Sequence, residues 1–124
     1  MVDCDMMPFK PVKKLARVVM AKCRLDGFVI LRSSKDHYHV VFDRYVYWTD
    51  KMSALGLFSV LSHNAWLKDY LVMQCIKKSS TLRVGPKADK ASPRVVCRYG
   101  EQGHEVATFL KHRALIQRIC RSLQ

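Results

Sequence analysis

Acidic residues are scarce in this chain. Its 124 residues hold 10 Asp and Glu against 22 Lys and Arg, a net charge of +12. Self-repulsion on that scale calls for a polyanion, with nucleic acid the first expectation and anionic membrane the second. Long apolar runs are missing too. No segment approaches the roughly 18 to 20 residues of a membrane span. Met1 to Lys10 carries two acids and no apolar stretch, which predicts no signal peptide. Paired cysteines are also absent. Cys4, Cys23, Cys75, Cys97 and Cys120 are scattered and odd in number, with no C-x-x-C. That argues against a zinc site and against a disulfide framework. The expected setting is therefore intracellular and cytoplasmic, with DNA or RNA rather than membrane as partner. Repeats and low-complexity tracts are lacking, so one domain over residues 1–124 is expected.

What is present is a succession of short periodic segments. Val2 to Asp5 reads as a strand. Pro8 and Pro11 suit the first turn of a helix, and Val12, Leu15, Ala16, Val19 and Cys23 fall at helical spacing up to Arg24. Asp26-Gly27 reads as the stop. Phe28 to Leu31, a polar turn over Ser33 to Asp36, and His37 to Phe42 form a hairpin. Thr49 and Asp50 mark the start of a helix over Met52 to Leu61. Asn64 to Lys78 suits either a strand or a buried helix. Thr81 to Val84 reads as a strand, Gly85 to Pro93 as a basic loop and Arg94 to Tyr99 as another strand. His104 to Leu123 is the clearest helix, with Val106, Phe109, Leu110, Ile116, Ile119, Cys120 and Leu123 as its stripe. The order predicts an α+β fold: an RRM-like or palm-like, antiparallel-rich sheet with helices on one face and the other face open.

Strand period two then sorts the side chains. Val2 and Cys4 go inward with Tyr38, Val40 and Phe42, as do Leu82 and Val84. Asp3, Asp5, His37, His39 and Arg83 go to the open face. Two carboxylates, two imidazoles and a guanidinium together suit a metal ion and a phosphate. Ser33, Ser34 and Lys35 in the turn reach toward the same place. Each element alone is commonplace, since Asp-x-Asp and His-x-His also occur on merely polar strand faces.

The order and spacing together resemble a family. Val2-Asp3-Cys4-Asp5, then Leu31-Arg32-Ser33-Ser34-Lys35-Asp36-His37-Tyr38-His39-Val40, then Leu82-Arg83-Val84-Gly85-Pro86-Lys87 are similar to the archaeo-eukaryotic primase and primase-polymerase palm. The resemblance implies Mg²⁺ or Mn²⁺ on Asp3 and Asp5. It also implies nucleotide phosphates on Ser34 and His39, with Arg83 and Lys87 nearby. The family's third acid has no counterpart in Leu71 to Ile76. The resemblance therefore points to a minimal or catalytically degenerate palm, acting alone or with a larger replication protein. A second family competes. His37-Tyr38-His39-Val40-Val41-Phe42 resembles the His-x-His strand of rolling-circle replication initiators, which nick single-stranded DNA with a tyrosine. No tyrosine here has Lys three residues on, and Tyr70 and Tyr99 are the remaining candidates. A third reading is a binding domain without catalysis. In each, Lys13, Lys14 and Arg17, with Lys35 and Lys90, serve the phosphate backbone; His37 joins them in the palm reading, whereas the initiator resemblance implies metal held by His37 and His39. Tyr45, Tyr47 and Trp48 either stack on unpaired bases or pack in the core.

Overall fold

A computed structural model describes residues 1–78 and 92–123. The elements are β1 (Val2–Asp5), α1 (Phe9–Lys22), β2 (Gly27–Ser34), β3 (His37–Phe42), α2 (Trp48–Ser62), α3 (Ala65–Lys77), β4 (Arg94–Gly100) and α4 (His104–Ser122). They make an α+β fold with a four-stranded sheet in the order β1-β3-β2-β4, every pairing antiparallel. The expected strand at Thr81 to Val84, with Arg83, Lys87 and Lys90, lies outside the described residues. No helix among those described is long and apolar enough to cross a membrane.

Local chemistry accounts for most boundaries. Pro8 caps α1, and Val12, Ala16 and Val19 bury one stripe of it. The segment that suited strand or helix is helical as α3. Asn64 caps it, its side-chain oxygen accepting from the Leu67 amide at 3.3 Å.

The core lies between one sheet face and helices α1 to α3. Val2, Cys4, Phe28, Ile30, Tyr38, Val40 and Phe42 meet Val12, Ala16, Val19, Leu55, Phe58 and Leu67 there. Phe28 stacks on Tyr99 with centroids 5.2 Å apart and meets Phe42 edge-on at 6.1 Å. The inward set read from strand alternation is the one observed for the described strands.

The second face differs from the expectation of an open platform. Val29 and Leu31 point to it, yet both are fully buried. A strand buried on both sides reads as an unbroken apolar run, which Phe28 to Leu31 is. The cover is α4. Gly103 at its start abuts the Asp43 carbonyl, and its Gln117 side chain donates to the Pro93 carbonyl at 3.4 Å. Helix α4 therefore runs back along β4 over the β2–β4 half of this face. The β1–β3 half remains for the polar residues.

The stripe expected on α4 is also corrected. Val106 and Arg113 are its buried residues, whereas Ile116, Ile119 and Leu123 are exposed. The reason is rotation about the helix axis: the covered side runs through Val106, Arg113 and Gln117, and at about 100° per residue Ile116, Ile119 and Leu123 fall roughly 80° to 140° away from it.

Candidate functional site

The site is built by register. Across β1 and β3, Asp3 stands opposite His39 and Asp5 opposite His37. Directly paired residues share a face, so all four side chains rise from the half of the second face that α4 leaves. Nδ1 of His37 lies 2.7 Å from an Asp5 oxygen, and Nδ1 of His39 lies 3.2 Å from an Asp3 oxygen. A carboxylate facing Nδ1 holds the ring proton there and leaves Nε2 as the acceptor. The two pairs are not equal. The Asp3 oxygen and His39 Nδ1 are wholly buried and fall outside hydrogen-bond geometry, so this pair is incompletely satisfied.

The hairpin closes the site at one end. β2 is irregular at Ser33, after which Ser34 pairs with His37. Ser34 thereby joins the His37 row, beside the exposed Lys35. Asp36 takes a left-handed conformation with φ 56° to make the tight turn. Its carbonyl accepts from the Met7 amide at 3.1 Å, which locks the end of β1 against the turn. The residues expected at the site, Asp3, Asp5, Ser34, Lys35, His37 and His39, are thus brought to one end of one face.

Other expected residues are elsewhere. Lys13, Lys14 and Arg17 ride on α1, across the sheet from the Asp–His pairs, and Arg17 lies over the Tyr99 ring at 5.0 Å. They supply positive surface but do not reach the quartet. Tyr70 and Tyr99, the spare candidates for a nucleophile, both pack against the core on the helix face. Burial, then the negative charge of Asp3 and Asp5, pushes the Tyr70 phenol well above its usual range, which makes it a poorer nucleophile. Packing is excluded for Tyr45 and Tyr47, which are 85% and 83% exposed, while Trp48 carries the Lys51 ammonium over its ring at 4.7 Å. Tyr45 and Tyr47 line a cavity of about 1100 Å³ that also takes in Arg24, Arg44, Leu57 and Phe109. It lies past the other end of β3, roughly 17 Å from His37 by strand rise.

The electrostatics of the quartet are strained in one direction. Burial raises the Asp5 carboxyl above its ordinary value, and the nearby Asp3 raises it further, against the lowering contact of His37. A cation relieves this conflict. The residues fit one divalent ion in a limited way: two carboxylates two positions apart on one face, one of whose oxygens lacks a donor. Among the described residues no cluster of three His, Cys, Asp or Glu is arranged to hold a metal. Water and phosphate oxygens would have to complete the shell.

A stability prediction follows from the sign of the shift. Because the folded-state value of Asp5 is raised, the fold binds this proton more tightly than the unfolded chain. Asp5 thus favours folding while protonated, and that contribution is lost as pH rises through the raised value. Asp5→Asn should melt higher than the unsubstituted protein at neutral pH in chelator. The gap should close as pH falls into the usual carboxylate range. A lower melting temperature at neutral pH would show that the His37 contact outweighs burial and repulsion.

Comparison of the chain with protein-family models, with curated proteins and with solved structures finds no match.

Proposed function

We propose that this chain is a nucleic-acid-binding domain of palm-like character, in which Asp3, Asp5, His37 and His39 engage nucleotide phosphates through a divalent cation. The observation that carries the reading is the register of β1 on β3, which sets both Asp–His pairs side by side next to Ser34 and Lys35. Asp3 and Asp5 would hold Mg²⁺ or Mn²⁺. The bound ion would neutralise phosphate charge and polarise a phosphoryl oxygen. His37, steadied through Nδ1 by Asp5, presents Nε2 to a phosphate oxygen when protonated, and His39 stands beside it on the same strand. Ser34 and Lys35 donate from the turn. The exposed Tyr45 and Tyr47 suit stacking on unpaired bases, which favours single-stranded DNA or RNA. Action beside a larger replication protein is part of this proposal, as is an intracellular site of action.

Two carboxylates are few for a two-metal displacement. The proposal is therefore binding of nucleotide and strand, without robust synthesis by this chain alone. The nicking alternative finds less support. Among the described residues Tyr38, Tyr70 and Tyr99 belong to the core side, and Tyr45 and Tyr47 lie past the far end of β3.

The test is a nucleoside triphosphate titration with Mn²⁺ or with chelator, run beside extension and nicking assays. Mn²⁺ is expected to tighten nucleotide binding at least about tenfold, the scale of one charged hydrogen bond or more. Asp3→Ala and Asp5→Ala should abolish that gain while leaving metal-free strand binding intact. Metal-independent nucleotide binding would remove the cation from the proposal. Nicking lost in His37→Ala and in one Tyr→Phe variant would replace it with the endonuclease reading.

A further inference from the structure

Arg113 is the most unusual residue of the second face. It is 6% exposed, yet its Nε and Nη2 are buried without a hydrogen-bond partner. None of the four ion pairs of the described residues includes it. Burying a cation with no counter-ion is among the costliest arrangements a fold can hold. Burial lowers the guanidinium below its usual value, but arginine stays charged at any physiological pH.

Its position is set by the run of α4. Val106 and Arg113 are seven residues apart, two turns on one stripe, and both are buried. Gln117, one turn further, reaches Pro93. Arg113 therefore lies over the β2–β4 half, where Leu31 and Val95 face the same side. Leu31 is also opposite His39, and His39 opposite Asp3. Arg113 thus shares a face of the sheet with the Asp–His pairs, displaced across it toward β4. Its surroundings add charge of the same sign. Arg98 on β4 faces this side, and α4 has no acid after Glu105.

We propose that Arg113 anchors an anion site between α4 and the β2–β4 half of the sheet, and that its ligand is a phosphate group. Two free N–H groups of one guanidinium form the fork that takes two oxygens of a phosphate. Arg98 on the same face suits a group bearing more than one negative charge. Nε and Nη2 have no exposure, so the phosphate enters as α4 shifts outward. The site stands apart from the Asp–His pairs, and loss of cation binding at Asp3 and Asp5 leaves it intact.

The experiment titrates the full chain with inorganic phosphate, a nucleoside triphosphate and an oligothymidylate. Ionic strength is held constant with chloride, and chelator is present. Melting temperature and Kd are read for the unsubstituted protein, Arg113→Met, Arg113→Lys and the exposed-site control Arg118→Met. Phosphate should raise the melting temperature where chloride does not. Arg113→Met should melt higher than the unsubstituted protein without ligand, because an unpaired buried charge is gone. It should also lose the phosphate increment, with Kd at least about tenfold weaker. Arg113→Lys should keep part of the increment and Arg118→Met nearly all of it. A larger effect for the triphosphate identifies a free nucleotide, and a larger effect for the oligonucleotide identifies a strand backbone. Either outcome supports the site. No phosphate-specific increment in the unsubstituted protein overturns it, whether or not Arg113→Met folds. So does an increment that survives Arg113→Met, or one lost equally in Arg118→Met.

Discussion

Single-stranded DNA or RNA should bind this protein about a hundredfold more weakly at roughly 200 mM than at roughly 50 mM monovalent salt. The figure follows from counter-ion release: log K falls by about 0.7 per log unit of salt for each phosphate contact on a single strand, taken here for about five contacts. Five is a modest share of the 22 Lys and Arg in the chain. Lys14 and Arg17 on α1, Lys35 in the hairpin turn, and Arg94 and Arg98 on β4 are exposed and lie on different sides of the sheet. They do not form one groove. Lys14→Glu with Arg17→Glu should therefore reduce affinity uniformly across sequences and lower the salt slope, without touching the Asp–His pairs. Tyr45→Ala and Tyr47→Ala should weaken single-strand binding with the slope unchanged, since stacking releases no ions. A flat salt profile, or no affinity at low salt, would defeat the nucleic-acid reading. Tight binding to anionic vesicles under those conditions would put a membrane surface in its place.

Gly27→Ala is expected to cost on the order of 3 kcal/mol or more, the scale of severe overpacking or backbone strain. A Cβ at Gly27 would meet the Glu101 carbonyl oxygen at 2.0 Å and that of Tyr99 at 2.7 Å. Both are backbone atoms, so no side-chain rotation makes room. Gly27 pairs with Gly100, where φ is 67° and a Cβ would meet the Asp26 carbonyl oxygen at 2.2 Å. Around this crossing Glu101 donates its amide to Asp26 and Asp43 donates its amide to Gly27, at 3.0 and 3.1 Å. The Asp43 carboxylate accepts from the Asp26 amide and from Arg44, which also pairs with Asp26. The substitution therefore separates β2 from β4 and unseats α4 with it. Urea denaturation checks this, with Gly56→Ala as the control, because a Cβ there meets nothing within 4 Å. A Gly27→Ala midpoint within error of the unsubstituted protein would mean that the two strands part without cost.

Gly27 also shows where reading along the chain misleads. Asp26-Gly27 looks like a helix stop, but the left-handed residue after α1 is Arg24, with φ 54°. Gly27 is there for a contact with a strand more than 70 residues away, which no local pattern records. Arg113 is a similar case. The apolar stripe of α4 passes beside it, so periodicity assigns it to solvent. It is inside because Val106, Arg113 and Gln117 share the side of α4 that the tertiary structure turns to the sheet.

Alternation by itself determined which side chains turn away from the core. Asp3, Asp5, His37 and His39 sort to one face because a strand has a period of two, and the short turn between β2 and β3 leaves little freedom in where Ser34 and Lys35 go. Charge likewise needs no coordinates, since +12 follows from counting. The tertiary structure decided three matters. Strand order placed β1 beside β3, which turned two motifs more than 30 residues apart into Asp–His pairs. The return of α4 halved the open face. The packing of α3 drew Tyr70 to the core side, away from the histidines. These depend on contacts distant in the chain, where the local preferences of each segment are satisfied by more than one arrangement and burial of the shared apolar surface selects among them.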